Sequence, residues 1–256
     1  MALHKPFWIP VLLILMLAST ACNLQAAGAV PAAGEPTATS PAPKTVGQCS
    51  NPLQPVIAGA RWDYSMSGIT SGKFTRSITE IHSDGFTDQD VFDSGVTRTG
   101  EWKCDQGTLV ALSPAEGMSG MVQTEGMTAE FKTTSSSGVT LPAIVRPGDS
   151  WSQSFTLEGT QTVAGTQAQS KGDMSYSCKA AGTETVVVAA GTFDAVRVGC
   201  QINGKITVVM SGIEVPTELT SAATIWYARD IGMVKTENEI SGIGHSTIEL
   251  TSYTIP

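Results

Sequence analysis

Between residues 48 and 256 apolar and polar positions alternate with a period of two. Trp62, Tyr64 and Met66 are separated by Asp63, Ser65 and Ser67, and similar runs cover 183–189, 193–202, 206–210, 220–228, 233–239 and 246–254. Short alternating runs rich in Val, Thr and Ile, broken by glycine-containing turns, predict strands with one buried face. Helical periodicity is nearly absent. The expected fold is all-β: a single antiparallel, strongly curved sheet or (half-)barrel.

Turn signals set the expected register. Ala190-Gly191 predicts a turn between 186–189 and 193–196. Asn203-Gly204 is a strong hairpin signal. A two-residue loop there would place Cys200 opposite Thr207. A three-residue loop, Asn203 to Lys205, instead pairs Ile202 with Ile206, Cys200 with Val208 and Val198 with Met210, and keeps these apolar pairs on one face. A slip of one residue exchanges the faces of a strand, so the apolar pattern favours the three-residue loop. The motif Gly-x-x-Trp occurs at Gly59–Trp62 and Gly148–Trp151. Trp102 precedes Gly107 and an apolar run, as Trp226 precedes Gly232. The order suggests two structural repeats, roughly 59–125 and 148–254.

The first 22 residues break the pattern. His4 and Lys5 lead into an apolar run from Phe7 to Ala18, then Ser19, Thr20, Ala21 and Cys22. About a dozen apolar residues are too few to span a bilayer, which takes about 20, but suit a signal peptide. The segment 1–21 reads as a lipoprotein signal with Cys22 as the lipid-attachment residue. Ser19 and Ala21 also fit ordinary secretory cleavage. Residues 22–47, rich in Ala, Pro, Thr and Ser, cannot bury enough apolar surface to offset their ordering entropy. They read as a flexible tether that spans roughly 25–30 Å as a coil. Residues 48–256 form the β-rich extracytoplasmic domain, large enough for one sizeable core.

Charge and cysteine content agree with that location. From Cys22 onward 14 basic residues face 23 acidic ones, a net charge of −9. An acidic domain without a basic cluster argues against nucleic acid and against docking on anionic lipid by charge. The membrane contact therefore falls to the N-terminal acyl chains. Cys49, Cys104, Cys178 and Cys200 remain, an even number in an exported chain, and read as two disulfides. No pair has the Cys-x-x-Cys spacing of zinc or redox sites. Extending both arms of the Ala190-Gly191 turn brings 174–178 beside 198–202. Ala180-Ala181-Gly182 would absorb the offset as a bulge, which sets Cys178 opposite Cys200 and leaves Cys49 to pair with Cys104.

The chemistry-bearing residues carry no catalytic constellation. His82 and His245 are the two histidines beyond the signal, and Glu116-Gly117-Met118-Ser119-Gly120 is only a superficial match to a nucleophile elbow. Asp84, Asp88, Asp90 and Asp93 form an acidic run whose spacing fits no EF-hand, so it reads as a solvated acidic turn. Met118, Met121 and Met127 form a soft apolar stretch that would suit a lid, or a loop with a few core contacts. Trp62, Trp102, Trp151 and Trp226 read as core anchors at strand ends. No catalytic residue, metal site or cofactor is expected.

One stretch resembles a known group. Ala190-Gly191-Thr192-Phe193-Asp194-Ala195-Val196-Arg197-Val198, followed by Trp226-Tyr227-Ala228 and Gly232-Met233-Val234-Lys235, resembles a signature of uncharacterised bacterial envelope lipoproteins. Pro55, Gly59, Trp62 and Tyr64 match its early Pro-x-x-x-Gly-x-x-Trp-x-Tyr pattern. That group is similar to half-barrel lipoprotein carriers that fold around an apolar cavity. The resemblance implies a fold and a compartment, and a lipid-like ligand is a separate expectation for the concave face of such a sheet. It supplies no catalytic residue. The chain is therefore expected to be a non-enzymatic, membrane-anchored lipoprotein that binds an apolar or amphipathic ligand. The alternative is a structural or protein-interaction module with a filled core, and an envelope hydrolase is the remote one.

Overall fold

The computed structural model describes residues 47–112, 127–163, 166–210 and 212–256. The expected signal peptide, Cys22, the expected tether up to residue 46, and Met118 and Met121 of the methionine stretch lie outside these residues. Met127 opens a strand, and its side chain is not described.

The described chain forms twelve antiparallel strands in one sheet. They are β1 (Arg61–Gly68), β2 (Gly72–Ile81), β3 (Gly85–Phe92), β4 (Thr97–Asp105), β5 (Thr108–Ala111) and β6 (Met127–Gly138), then β7 (Ser150–Val163), β8 (Thr166–Val188), β9 (Gly191–Met210), β10 (Ile213–Ala228), β11 (Gly232–Ile240) and β12 (Gly244–Thr254). Strands consecutive in sequence pair with each other, and β1 pairs with β12. The one consecutive pair without a ladder is β5 and β6, which form the two ends of the sheet. The result is a nearly closed barrel with a single seam. Its inner face carries the core: Trp62, Phe86, Leu109, Met174, Ile202, Ile248 and Leu250 are fully buried.

The two halves share their construction. Before β1, the Ala60 N–H donates to Ile57 O across a turn containing Gly59 (φ +80°). Before β7, the Asp149 N–H donates to Arg146 O across a turn containing Gly148 (φ +92°). A positive φ at the third turn position is the reason for glycine in both. The next strand then docks alike, Ile78 N–H on Ala60 O and Ala180 N–H on Asp149 O. A bulge follows each contact, between Ile78 and Glu80 in β2 and between Ala180 and Gly182 in β8. The turn that joins β8 to β9 is Ala189–Ala190, one residue before the expected Ala190-Gly191, and together with the second bulge it sets Cys178 opposite Cys200.

The Asn203-Gly204 hairpin is not formed. Strand β9 runs through both residues to Met210, and the chain turns only before Ile213, so Cys200 faces Cys178 on one side and Ala223 on the other, not Val208. The inward set Val198, Cys200, Ile202, Gly204 and Ile206 continues the period of two without a break. Gly204 is buried beneath Leu219 and Met174, whose nearest atoms lie 3.5 and 3.8 Å from where its Cβ would be. A strand flanked on both sides satisfies its backbone in the ladder and overrides a local turn preference.

Candidate functional sites in the barrel interior

One disulfide joins two strands and the other fastens the segment before β1 to a strand. Cys178 and Cys200 are directly cross-strand, with Cα atoms 4.1 Å apart. Cys49–Cys104, at a Cα separation of 5.0 Å, fastens the short 3-10 turn Gly47–Cys49 to β4. Residues 47–49 therefore lie against the β4–β5 turn, where the Gly107 N–H donates to Gln48 O. A Cβ on Gly107 would lie 2.5 Å from Ser50 O, so only glycine admits this approach.

The acidic run is not a solvated turn. Asp84 and Asp93 are exposed in turns, but Asp88 and Asp90 point into the barrel and are buried. Asp90 accepts two hydrogen bonds from Arg76, from Nε at 2.8 Å and Nη2 at 2.9 Å, and a further short one from Arg98 Nη2. Burial alone would raise the Asp90 carboxyl, but the two guanidinium groups outweigh it and hold it below the usual carboxylate range. Asp88 lies opposite Gly100, 3.7 Å from Arg76 Nε, with the Trp102 side chain and Arg98 also acting on it. Its Oδ2 and the Trp102 indole N–H are left without hydrogen-bond partners among the described residues. Burial pushes Asp88 from its ordinary 3.8 up to about 6. The sequence shows four carboxylates in ten residues. Their cationic partners sit on other strands, and only the pairing of β2, β3 and β4 brings them together.

The second half holds a cavity of about 40 Å³ at the register-equivalent level. Its walls include Trp151, Phe155, Tyr176, Val198, Ile202 and the Cys178–Cys200 bridge, and its lining carries no carboxylate, amine or guanidinium. Burial pushes the Tyr227 phenol up to about 12 and the Tyr176 phenol higher still, so both stay neutral. A larger open hollow of about 500 Å³ follows the polar outer residues of β6–β9, among them Ser137, Ser154, Thr156 and Asp173.

The cavity lies directly behind the seam. Where a β5–β6 ladder would run, short links among the described residues close the wall. Leu109 and Leu141 exchange backbone hydrogen bonds of 2.8 and 3.1 Å. Beside them is a ring: the Ala111 N–H donates to Thr140 Oγ1 (2.7 Å), Thr140 Oγ1 donates to Gln153 Oε1 (2.5 Å), and Gln153 Nε2 donates to Ala111 O (2.8 Å). The Trp151 indole N–H also holds Thr140 O, at 2.9 Å. Ala111, Thr140 and Gln153 line the cavity, so side chains stand in for strand pairing at the wall of the site. Gln153 was not singled out in the sequence. A polar residue on the inward phase of β7, two after Trp151, was the available signal.

The remaining candidates separate. His82, in the β2–β3 turn, approaches Thr87 Oγ1 at 3.4 Å and Glu80 at 3.6 Å, whereas His245 is exposed at the opposite end, at the start of β12 opposite Glu239. Of the tryptophans, Trp62, Trp102 and Trp151 face inward. Trp62 donates to Ile231 O (2.6 Å), and Trp102 stacks on Phe86. Trp226 differs. It is buried, but it alternates with Ala223, Ile225 and Tyr227 of the cavity lining and so lies on the other face of β10, under Lys235 and donating its indole N–H to Glu184. In the repeat, Trp102 therefore matches Tyr227 and not Trp226.

Residues 79–240 match the DUF3108-like family model, and the chain belongs to that family. The motifs at 190–198, 226–228 and 232–235 all fall inside the matched stretch. Three solved structures resemble the fold. A candidate lipoprotein from Parabacteroides distasonis ATCC 8503 is 15% identical with a TM-score of 0.50, covering 80% of this chain and 99% of that one. A candidate exported protein with a YmcC-like fold from Bacteroides fragilis NCTC 9343 is 15% identical at a TM-score of 0.47, over 77% and 96%. The hypothetical lipoprotein YmcC from Escherichia coli (K12) is 8% identical at 0.36, over 78% and 89%. No curated protein shows significant sequence similarity to the chain.

Proposed function

We propose that this protein is an exported lipoprotein, acylated at Cys22 and held off the membrane by residues 22–47, whose barrel binds an apolar chain and catalyses no reaction. The location rests on the signal-like segment, on the two disulfides, and on the naming of the fold relatives from Parabacteroides and Bacteroides as a candidate lipoprotein and a candidate exported protein. The single observation that carries the binding reading is the placement of an uncharged cavity immediately behind the one wall closed by side chains instead of a ladder. The interior charges support the non-enzymatic reading, because Asp90 is engaged by Arg76 and Arg98.

The test is the intact mass of protein extracted from its native membrane, before and after denaturation. A mass of residues 22–256 plus acyl chains, with a lipid released on denaturation, is the expected result. An unacylated mass would overturn the anchor, and acylated protein that releases nothing would count against the ligand. The small cavity favours a second reading: at about 40 Å³ it is far below the roughly 300–1,000 Å³ of typical ligand sites. A filled barrel would serve as a protein-interaction module.

A further inference from the structure

We infer that the Ala111–Thr140–Gln153 ring is the door of the cavity, and that the chain admitted through it is a single uncharged hydrocarbon chain whose head stays outside. This rests on the binding reading proposed above. The argument starts from volume. A cavity of about 40 Å³ accommodates little more than a water molecule or two, so any larger guest requires the wall to part. Every other strand boundary of the barrel is a ladder of backbone hydrogen bonds, and opening one would break many at once. Among the described residues, the seam is held by the Leu109–Leu141 bridge, the Thr140 N–H on Leu109 O, the Asn51 amide on Gly107 O and Pro142 O, and the three-membered ring, and these few bonds must yield.

The ring also has the right chemistry for a door. Its three members satisfy each other when closed, so the closed state leaves no orphaned polar group at the wall. When open, the Gln153 amide and the Thr140 hydroxyl face the gap and can hydrogen-bond a ligand's ester, amide or hydroxyl at the chain–head junction. The lining selects the guest. With no ionised group at its walls and two neutral phenols, the pocket offers nothing to offset the desolvation of a charge. A phosphate, carboxylate or ammonium would remain at the surface.

The experiment uses mature chain 22–256 carrying Cys22→Ser, which requires no detergent, and the neutral fluorophore N-phenyl-1-naphthylamine as the probe. Stopped-flow association is compared among this parent, Thr140→Val, Thr140→Ser, and a seam cross-linked through Leu109→Cys and Leu141→Cys. Saturable one-to-one binding is expected. Thr140→Val removes two ring hydrogen bonds and should speed association about tenfold. Thr140→Ser keeps the hydroxyl and the parent rate, and the cross-link slows entry until it is reduced. Ile202→Trp, which fills the cavity, should abolish binding. Saturable binding that Ile202→Trp abolishes, with rates indifferent to Thr140→Val and to the cross-link, would overturn the door and leave the site standing. Absence of saturable binding in parent and Thr140→Val alike would overturn the binding reading and the door with it.

Discussion

The two halves of the barrel occupy the same register with different chemistry. In the first, Arg76 on β2 faces Asp90 on β3; in the second, Cys178 on β8 faces Cys200 on β9. Each pair lies one step from its half's leading tryptophan, Trp62 opposite Arg76 and Trp151 opposite Cys178. One cross-strand position is held by a buried ion pair and its equivalent by a covalent bond. The ion pair requires desolvated charges to be matched by Arg98 and close geometry. The disulfide requires only oxidation and acts in good part by restricting the unfolded chain. The charged position has recruited further polar groups around it, whereas the covalent one is surrounded by apolar walls and the cavity.

The largest test of this contrast is Arg76→Leu. It strands Asp90 beside Arg98 and leaves Asp88 without its nearest cation, so unfolding in urea should show a loss of about 3–5 kcal/mol. A loss under about 1 kcal/mol would mean the pair is not a structural equivalent of the bridge. Replacing Cys178 and Cys200 by Ala together should cost about 2–4 kcal/mol by the same measurement, because the closed loop is short. A cost larger than that of Arg76→Leu would reverse the ranking of the halves.

A smaller effect isolates Asp88. Its folded pKa is raised, to about 6 against an ordinary 3.8, so the folded state holds the proton more tightly than the unfolded one. Stability should therefore fall as pH rises from about 4 to about 6 and level off above, by at most about 3 kcal/mol. Asp88→Asn should flatten that part of the profile and stabilise the protein at pH 7. An unchanged profile would remove Asp88 as its source.

The smallest expected effect sharpens the geometry. In the first half the chain turns after Phe92, through Asp93–Val96, whereas the register-equivalent Asn203 and Gly204 run straight on in β9. Gly204→Ala should then change stability by no more than about 0.5 kcal/mol, since its added Cβ meets only ordinary contacts. A cost near 2 kcal/mol would indicate a backbone conformation reserved for glycine.

That position shows where local reading ends. Asn203-Gly204 is a turn signal at the place where the other half does turn, and the flanking strands β8 and β10 are what hold it extended. The hairpin that joins β8 to β9, the bulge at Ala180–Gly182 and the Cys178–Cys200 pairing, by contrast, were legible, although the turn itself falls at Ala189–Ala190, one residue before Ala190-Gly191. The acidic run was misread for a physical reason. Asp88 and Asp90 share the inward phase with Phe86 and Phe92, yet carboxylates enter a core only beside cations, and Arg76 and Arg98 lie on neighbouring strands. Trp226 is buried, but on the phase opposite Ala223, Ile225 and Tyr227, so Tyr227 and not Trp226 answers to Trp102 in the repeat.

Chemistry that repeats every second residue, or counts evenly, was thus decided by the sequence itself: an all-β domain, strands with one buried face, and cysteines in pairs. These follow from local sterics and from burial, which act on each residue alone. Which polar groups enter the barrel, which tryptophan faces out, and how β5 meets the chain after β6 were decided by tertiary structure. Each depends on a partner distant in sequence: Asp90 on Arg76 and Arg98, Trp226 on Glu184 and Lys235, and the seam on a hydrogen-bonded ring from Ala111, Thr140 and Gln153.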